Sequence, residues 1–237
     1  MKSAIFTIVR NEKTYLPIWL NYYSKFFDNI YVLDHNSDDG STEDIQAHVV
    51  RLANDVCFDH VWLKDTVQNF YNELIKRYDV VAFAEADEII WHPLGLTKIL
   101  DKPYPLRCRG YDLLQMPDEQ PINLEWPILY QRQYWHSNGM YDKTLISRQR
   151  MEWSLGFHTS NPSGFYEPEL YLIHLKKMDY QTTLQRNQER IKWNWSKTDL
   201  EQNLGWQSRV LGEQFNNFYY QPNIELIPQS VITSYAF

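Results

Sequence analysis

The stretch Val80-Val81-Ala82-Phe83-Ala84-Glu85-Ala86-Asp87-Glu88 decides how this chain is read. Its apolar run, bounded by charge, reads as a strand buried on both faces. Three carboxylates then follow within four positions, Glu85 to Glu88. Like charges this close repel, and burying one without a partner is costly. A divalent cation resolves the conflict, because hard oxygen ligands suit Mn²⁺ or Mg²⁺, and Mg²⁺ takes one or two carboxylates together with substrate phosphates. Alternation along an extended segment points Glu85 and Asp87 the same way and Ala86 the other. The competing reading of the same residues is a solvated strand end.

The pattern repeats toward the N-terminus. Ala4 to Val9 is another continuous apolar run with β-branched residues, and polar Arg10-Asn11-Glu12 follows it. Leu16, Trp19, Leu20, Tyr23 and Phe27 recur at helical spacing, with Pro17 tolerated in the first turn. Ile30 to Leu33 reads as a second strand. Asp34 to Gly40 is dense in turn formers, and Ser41-x-x-Asp44 has the form of a capping box ahead of a helix carrying Ile45, His48, Val49 and Leu52. Val56 to Trp62 is expected as a third strand, and Val67, Phe70, Leu74, Ile75 and Tyr78 as the next helix.

Apolar strands alternating with helices predict an α/β fold with a mainly parallel central sheet flanked by helices. Right-handed crossovers put the carboxyl ends of such strands along one edge, where open α/β sheets bind ligands. Arg10-Asn11-Glu12, Asp34 to Ser41 and Glu85 to Glu88 are therefore expected to converge. Arg10 is placed to meet a phosphate, and Asn11, Glu12 and Asp34 to hydrogen-bond a nucleotide or hold its loop. The second half is less regular. Leu106 to Leu114, Lys143 to Arg148 and Tyr171 to Leu175 read as strands, and residues 115–141, with Pro117, Pro121 and Pro127, as a long loop. Beyond Asp179 the spacing turns helical, first through Leu184 and Ile191. It continues through Leu200, Leu204, Leu211 and Phe215 behind the box Thr198-x-x-Glu201.

Composition narrows the function. The 237 residues carry 23 Lys and Arg against 30 Asp and Glu, a net charge of −7. That balance argues against nucleic acid as a partner, which requires a basic stripe to displace counterions. No stretch approaches the roughly 18 apolar residues of a membrane span, and Ala4 to Val9 is too short for a signal peptide, so the expected location is the cytoplasm. The only cysteines, Cys57 and Cys108, are expected as reduced core thiols. Nine Trp and 17 Tyr exceed what a plain core requires, and such rings line flat-ligand sites as well as cores. G-x-G-x-x-G, the P-loop pattern, H-E-x-x-H, G-x-S-x-G and C-x-x-C are all missing. A diphosphate bound without a glycine loop is expected to lean on a metal, which favours the carboxylate cluster as its site.

Taken together, Val9-Arg10-Asn11-Glu12, Asp34-His35-Asn36-Ser37-Asp38-Asp39-Gly40-Ser41 and Ala84-Glu85-Ala86-Asp87-Glu88 resemble the ordered motifs of family 2-like glycosyltransferases with the GT-A fold. The resemblance covers about residues 1–100. It implies transfer of a sugar from a nucleotide-diphosphate donor to a hydroxyl acceptor, a glycan or another, with inversion and with help from Mn²⁺ or Mg²⁺. Carried over by position, it assigns the nucleoside to Asp34 and its pocket to Arg10, Asn11 and Glu12. Glu85 and Asp87 are assigned to the metal, although Glu85 stands where the family has the shorter Asp. A histidine of the second half joins them, His174 ahead of His158. Lys177, with Lys176, Lys143 and Arg148, is a candidate to neutralise the leaving diphosphate. The catalytic base is sought in the acceptor half, first at Asp112, then at Glu152, Asp142 or Glu119. On this reading residues 1–180 form the catalytic domain, with a donor half (1–104) and an acceptor half (105–180), and residues 181–237 a helical extension. Two rivals remain, a noncatalytic sugar- or nucleotide-binding relative and a nucleotidyltransferase acting on a sugar phosphate.

Overall fold

A computed structural model describes residues 1–53, 58–137, 139–220 and 223–233. The first half runs β1 (Ser3–Val9), α1 (Tyr15–Tyr23), β2 (Asn29–Asp34), β3 (His48–Arg51), α2 (His60–Leu74), β4 (Val80–Phe83) and β5 (Glu88–Trp91). Five strands lead the second half: β6 (Leu106–Leu114), β7 (Tyr134–Ser137), β8 (Lys143–Ser147), β9 (Glu152–Trp153) and β10 (Ser160–Asn161). The chain closes with β11 (Phe165–His174), α3 (Tyr180–Arg190), α4 (Lys197–Glu201), α5 (Gly212–Tyr219), β12 (Ile224–Leu226) and α6 (Gln229–Thr233).

The continuous apolar runs became the centre of the sheet. β1 and β4 are buried along their whole length, as strands covered on both faces must be. β3, β2, β1 and β4 lie side by side and parallel, with Phe6 opposite both Tyr31 and Phe83. Beyond β4 the sheet continues antiparallel through β8, β6, β7 and β12. β11 pairs parallel with β6 and antiparallel with β5. Helix α1 packs on β5 and α2 on β4, completing the α/β architecture expected from the alternation of elements. Two tyrosines of α1 tie down β5: the Tyr22 hydroxyl donates to the Ile90 carbonyl (2.8 Å), and the Tyr23 hydroxyl accepts from the Ile90 amide (2.7 Å). Helix α1 thereby anchors the strand that follows the acidic cluster.

Several local expectations are corrected. The helix expected through Ile45, His48, Val49 and Leu52 is instead β3, which extends the parallel sheet from the free edge of β2. Val49 and Val50 favour the pleated conformation, and Asp44, at φ 52°, is left-handed and stops any helix there. Most of the third strand expected at Val56 to Trp62 fails. Residues 54–57, including Cys57, lie outside the described residues, and from His60 the chain is helical, with the Asp59 side chain accepting from the Trp62 amide (2.8 Å) as the cap. The long loop 115–141 contains β7. Near the C-terminus the cap is Ser196 rather than Thr198, its hydroxyl accepting from the Asp199 amide (3.1 Å). The chain breaks at Gly205 before α5, so the leucine spacing does not form one helix. A small apolar cluster of Val210, Phe215, Phe218 and Tyr219 seats this end of the chain on Leu114. Cys108 is a buried free thiol. Among the described residues no helix is long and apolar enough to cross a membrane.

One close approach gives a direct test of the packing. A Cβ built at Gly110 on β6 would stand 2.5 Å from Tyr141 Cβ and 2.6 Å from the Tyr141 carbonyl carbon. Gly110 also donates its amide to Asp142 (2.8 Å). Gly110→Ala is expected to cost about 1–3 kcal/mol through overpacking, read as a lower Tm. A variant melting with wild type would show that the segment around Tyr141 yields freely.

Candidate functional site

The carboxyl ends of β1, β2 and β4 open into a cavity of about 320 Å³. This is the convergence expected of a parallel sheet edge. Ile8 to Arg10 follow from β1, His35 from β2, and Glu85-Ala86-Asp87 bridge β4 to β5. The C-terminal half supplies the opposite walls, through Lys143, His158, His174 and Lys176, and through Arg186, Arg190 and Trp193 on and after α3. The helical extension is therefore part of the site.

The acidic segment is held by cations of the chain itself. Lys143 Nζ lies 2.6 Å from both Glu85 and Glu88. Burial opposes ionisation of Glu85, yet Lys143 outweighs it and holds the carboxyl below its ordinary range. Asp87 pairs with Arg186, and His174 Nε2 stands 3.5 Å away. The other ring nitrogen of His174 meets Asp112 at 2.8 Å. Burial disfavours a charged imidazole, but Asp87 and Asp112 together raise His174 to about 9. Both ring nitrogens of His174 thus face aspartates. Arg186 also reaches Glu12 at 2.5 Å, and Arg190 reaches the same carboxylate oxygen at 2.7 Å.

Glu85, Asp87 and His174 thus come together as predicted, but as members of ion pairs. A divalent ion does not fit this donor set, because each carboxylate already faces a built-in cation and both ring nitrogens of the histidine face aspartates. Among the described residues no group of three or more His, Cys, Asp or Glu side chains is arranged to hold a metal.

Other expected residues are redistributed. Asp34 is fully buried beneath its loop, accepting from the Ser37 amide (3.0 Å) and the Thr42 hydroxyl (3.0 Å) and pairing with Arg51. It shapes the loop, and its neighbour His35 takes the place on the cavity wall, its ring 4.6 Å from Trp62. Asn11, at φ 55°, clasps the two loops through a pair of hydrogen bonds with Asp38 (2.7 and 2.9 Å). Arg10 donates to the His35 carbonyl (3.1 Å) and lies over the Trp193 ring. Asp112 is fully buried between His174 and Lys177 and does not line the cavity, so it positions His174 and cannot meet an acceptor hydroxyl. Lys177 is likewise buried on Asp112, and its neighbour Lys176 faces the cavity. None of Glu152, Asp142 and Glu119 lines the cavity. Asp142 accepts from Gly110 and Tyr166, and Glu119 from Met116 and Gln133. Arg148 is an exposed residue bound to the Asp101 carbonyl. His158 does line the cavity, and burial with Lys143 nearby keeps it neutral, at about 4.

The sequence reading missed Arg186, Arg190, Trp62 and Trp193. Its available signal was the Arg186-x-x-x-Arg190 spacing, which puts both guanidinium groups on one helix face. Cations outnumber carboxylates on the cavity walls, so the site suits an anion.

No protein-family profile and no curated protein matches the chain. Among solved structures it is similar to S. aureus TarS 1–349, at 13% identity and a TM-score of 0.42, over 92% of this chain and 74% of that one. It is also similar to a CMP:2-keto-3-deoxy-manno-octonic acid synthetase complexed with CTP, at 12% identity and a TM-score of 0.33, over 88% of this chain and 85% of that one.

Proposed function

We propose that this chain is a glycosyltransferase that binds a nucleotide-diphosphate sugar in the cavity at the sheet edge and passes the sugar to a hydroxyl acceptor. One observation carries the reading: the three motifs that resemble family 2-like glycosyltransferases surround a single cavity whose walls are cationic and aromatic. Its volume falls within the range of small-molecule sites. Trp193, with Arg10 and Arg190 against its ring, and Trp62 beside His35 offer flat surfaces for a base or sugar.

The cavity wall holds the carboxylates Glu12, Asp59, Glu85 and Asp87. Glu12 and Asp87 are committed to guanidinium groups, and Asp59 caps α2. Glu85 keeps 36% of its side chain exposed and is the residue able to reach an acceptor. In the proposed reaction the acceptor oxygen bonds to the anomeric carbon as the bond from that carbon to the diphosphate breaks. The electron pair leaves with the diphosphate, and the acceptor's proton passes to Glu85. Direct displacement of this kind inverts the anomeric configuration.

The test is a thermal-shift panel of uridine, guanosine, cytidine and thymidine sugar nucleotides, each in EDTA and in Mn²⁺. One base class should raise the Tm, since a donor at a hundred times its dissociation constant contributes about 2.7 kcal/mol. Stabilisation by a nucleoside triphosphate and a sugar phosphate alone would replace this reading with the nucleotidyltransferase. Donor binding with neither transfer nor hydrolysis would leave a binding module.

A further inference from the structure

We infer that Lys176, Arg186 and Arg190 hold the donor's diphosphate directly, in the place a divalent ion would take. The inference rests on the proposed donor site and departs from the metal dependence that the sequence resemblance implies. A divalent ion in such a site neutralises the diphosphate and fixes it against the protein carboxylates. Here that bridge is already built from side chains. Of the two carboxylates on which an ion would sit, Asp87 is taken by the Arg186 guanidinium, which also reaches Glu12, and Glu85 is taken by Lys143.

Positive charge is left over on the cavity side. Lys176 is only 5% exposed, lines the cavity, and has no acidic side chain within ion-pair distance among the described residues. Its ammonium touches the Ser208 hydroxyl at 3.4 Å and lies 5.0 Å from the Phe218 ring. A buried cation without a counter-charge is costly, which a bound anion would relieve. Arg190 shares Ser208 at 3.3 Å and gives Glu12 one of its nitrogens. Arg186 Nε is buried with no hydrogen-bond partner. Guanidinium forks beside an ammonium match the oxygen array of a diphosphate. All three residues come from the segment 176–190, so the anion site belongs to the C-terminal half even though the acidic motif belongs to the N-terminal half.

The experiment is isothermal titration of the full chain with inorganic pyrophosphate in EDTA, repeated with Mn²⁺, beside the same titrations of the sugar-nucleotide panel. Wild type should bind pyrophosphate in EDTA. Lys176→Met and Arg190→Gln should each weaken that binding by about tenfold or more, with circular dichroism confirming that both variants are folded. Binding that appears only with Mn²⁺ and disappears in Asp87→Asn would overturn the inference. Wild-type affinity in both cation variants would overturn it as well. Sugar nucleotides bound only with Mn²⁺ would sink the inference and keep the glycosyltransferase reading. Pyrophosphate bound in EDTA with no sugar nucleotide bound under either condition would do the reverse.

Discussion

Glu85→Gln should transfer sugar roughly 10²–10⁴-fold more slowly than wild type, the range general-base removal produces, while binding donor with unchanged affinity. The substitution keeps the shape of the side chain and removes its ability to accept a proton. Lys143 retains its second partner, Glu88, at 2.6 Å, so the wall should stay in place. With the donor held by the cations opposite, as proposed, the loss belongs in kcat and leaves the donor KM nearly unmoved, the pattern of an interaction made in the transition state. The ion pair with Lys143 also holds the Glu85 carboxyl below the ordinary range, which keeps it ionised at neutral pH. The wild-type rate should therefore fall only on the acidic side of the ordinary carboxylate range, and that limb should vanish in the variant. Turnover within about threefold of wild type, well short of a general base's contribution, would remove Glu85 from the role.

Lys176→Met should give a more stable protein that binds the anion about tenfold or more weakly. Burial, reinforced by Arg190 and Arg186, lowers Lys176 from an ordinary 10.5 to about 7. The sign follows from proton binding: between those values the unfolded chain holds a proton that the folded chain does not, so wild-type stability rises with pH across that window. Below about 7 the native state carries the buried charge and its full cost. Methionine has similar length and no charge, so the gain should be largest at or below neutral pH and fade toward 10.5. Exchanging a buried charge for an apolar group of similar volume stabilises by on the order of 2 kcal/mol, a rise of roughly 4–8 °C in Tm for a chain this long. A stabilising substitution that weakens binding is the signature of a residue kept for function at a cost in stability. A lower Tm with binding intact would mark Lys176 as a structural residue.

How far the sequence could be read depended on how local each feature was. β1 and β4 were legible because a strand buried on both faces is apolar nearly throughout: β4 is Val-Val-Ala-Phe, and only Ser3 and Thr7 interrupt β1. β6 was also found to the residue, through a strand whose buried and partly exposed positions alternate over most of its length. The helix wrongly expected at Ile45 to Leu52 shows the limit. Over so short a stretch apolar spacing is ambiguous, and the free edge of β2 made the choice.

The sequence by itself determined three of the four parallel strands (β1, β2 and β4), their common edge and the acidic segment at its tip, since these follow from apolar runs and the handedness of the crossovers. Only the tertiary structure decided what those acids face. Arg186 meets Asp87 across 99 residues and Glu12 across 174, and Asp112 and His174 meet across 62. Neighbouring identities also waited on the fold, with His35 rather than Asp34, and Lys176 rather than Lys177, reaching the cavity. The reason is physical: a carboxylate's charge is written in the chain, but its counter-charge is whatever the packed core brings within a few ångströms.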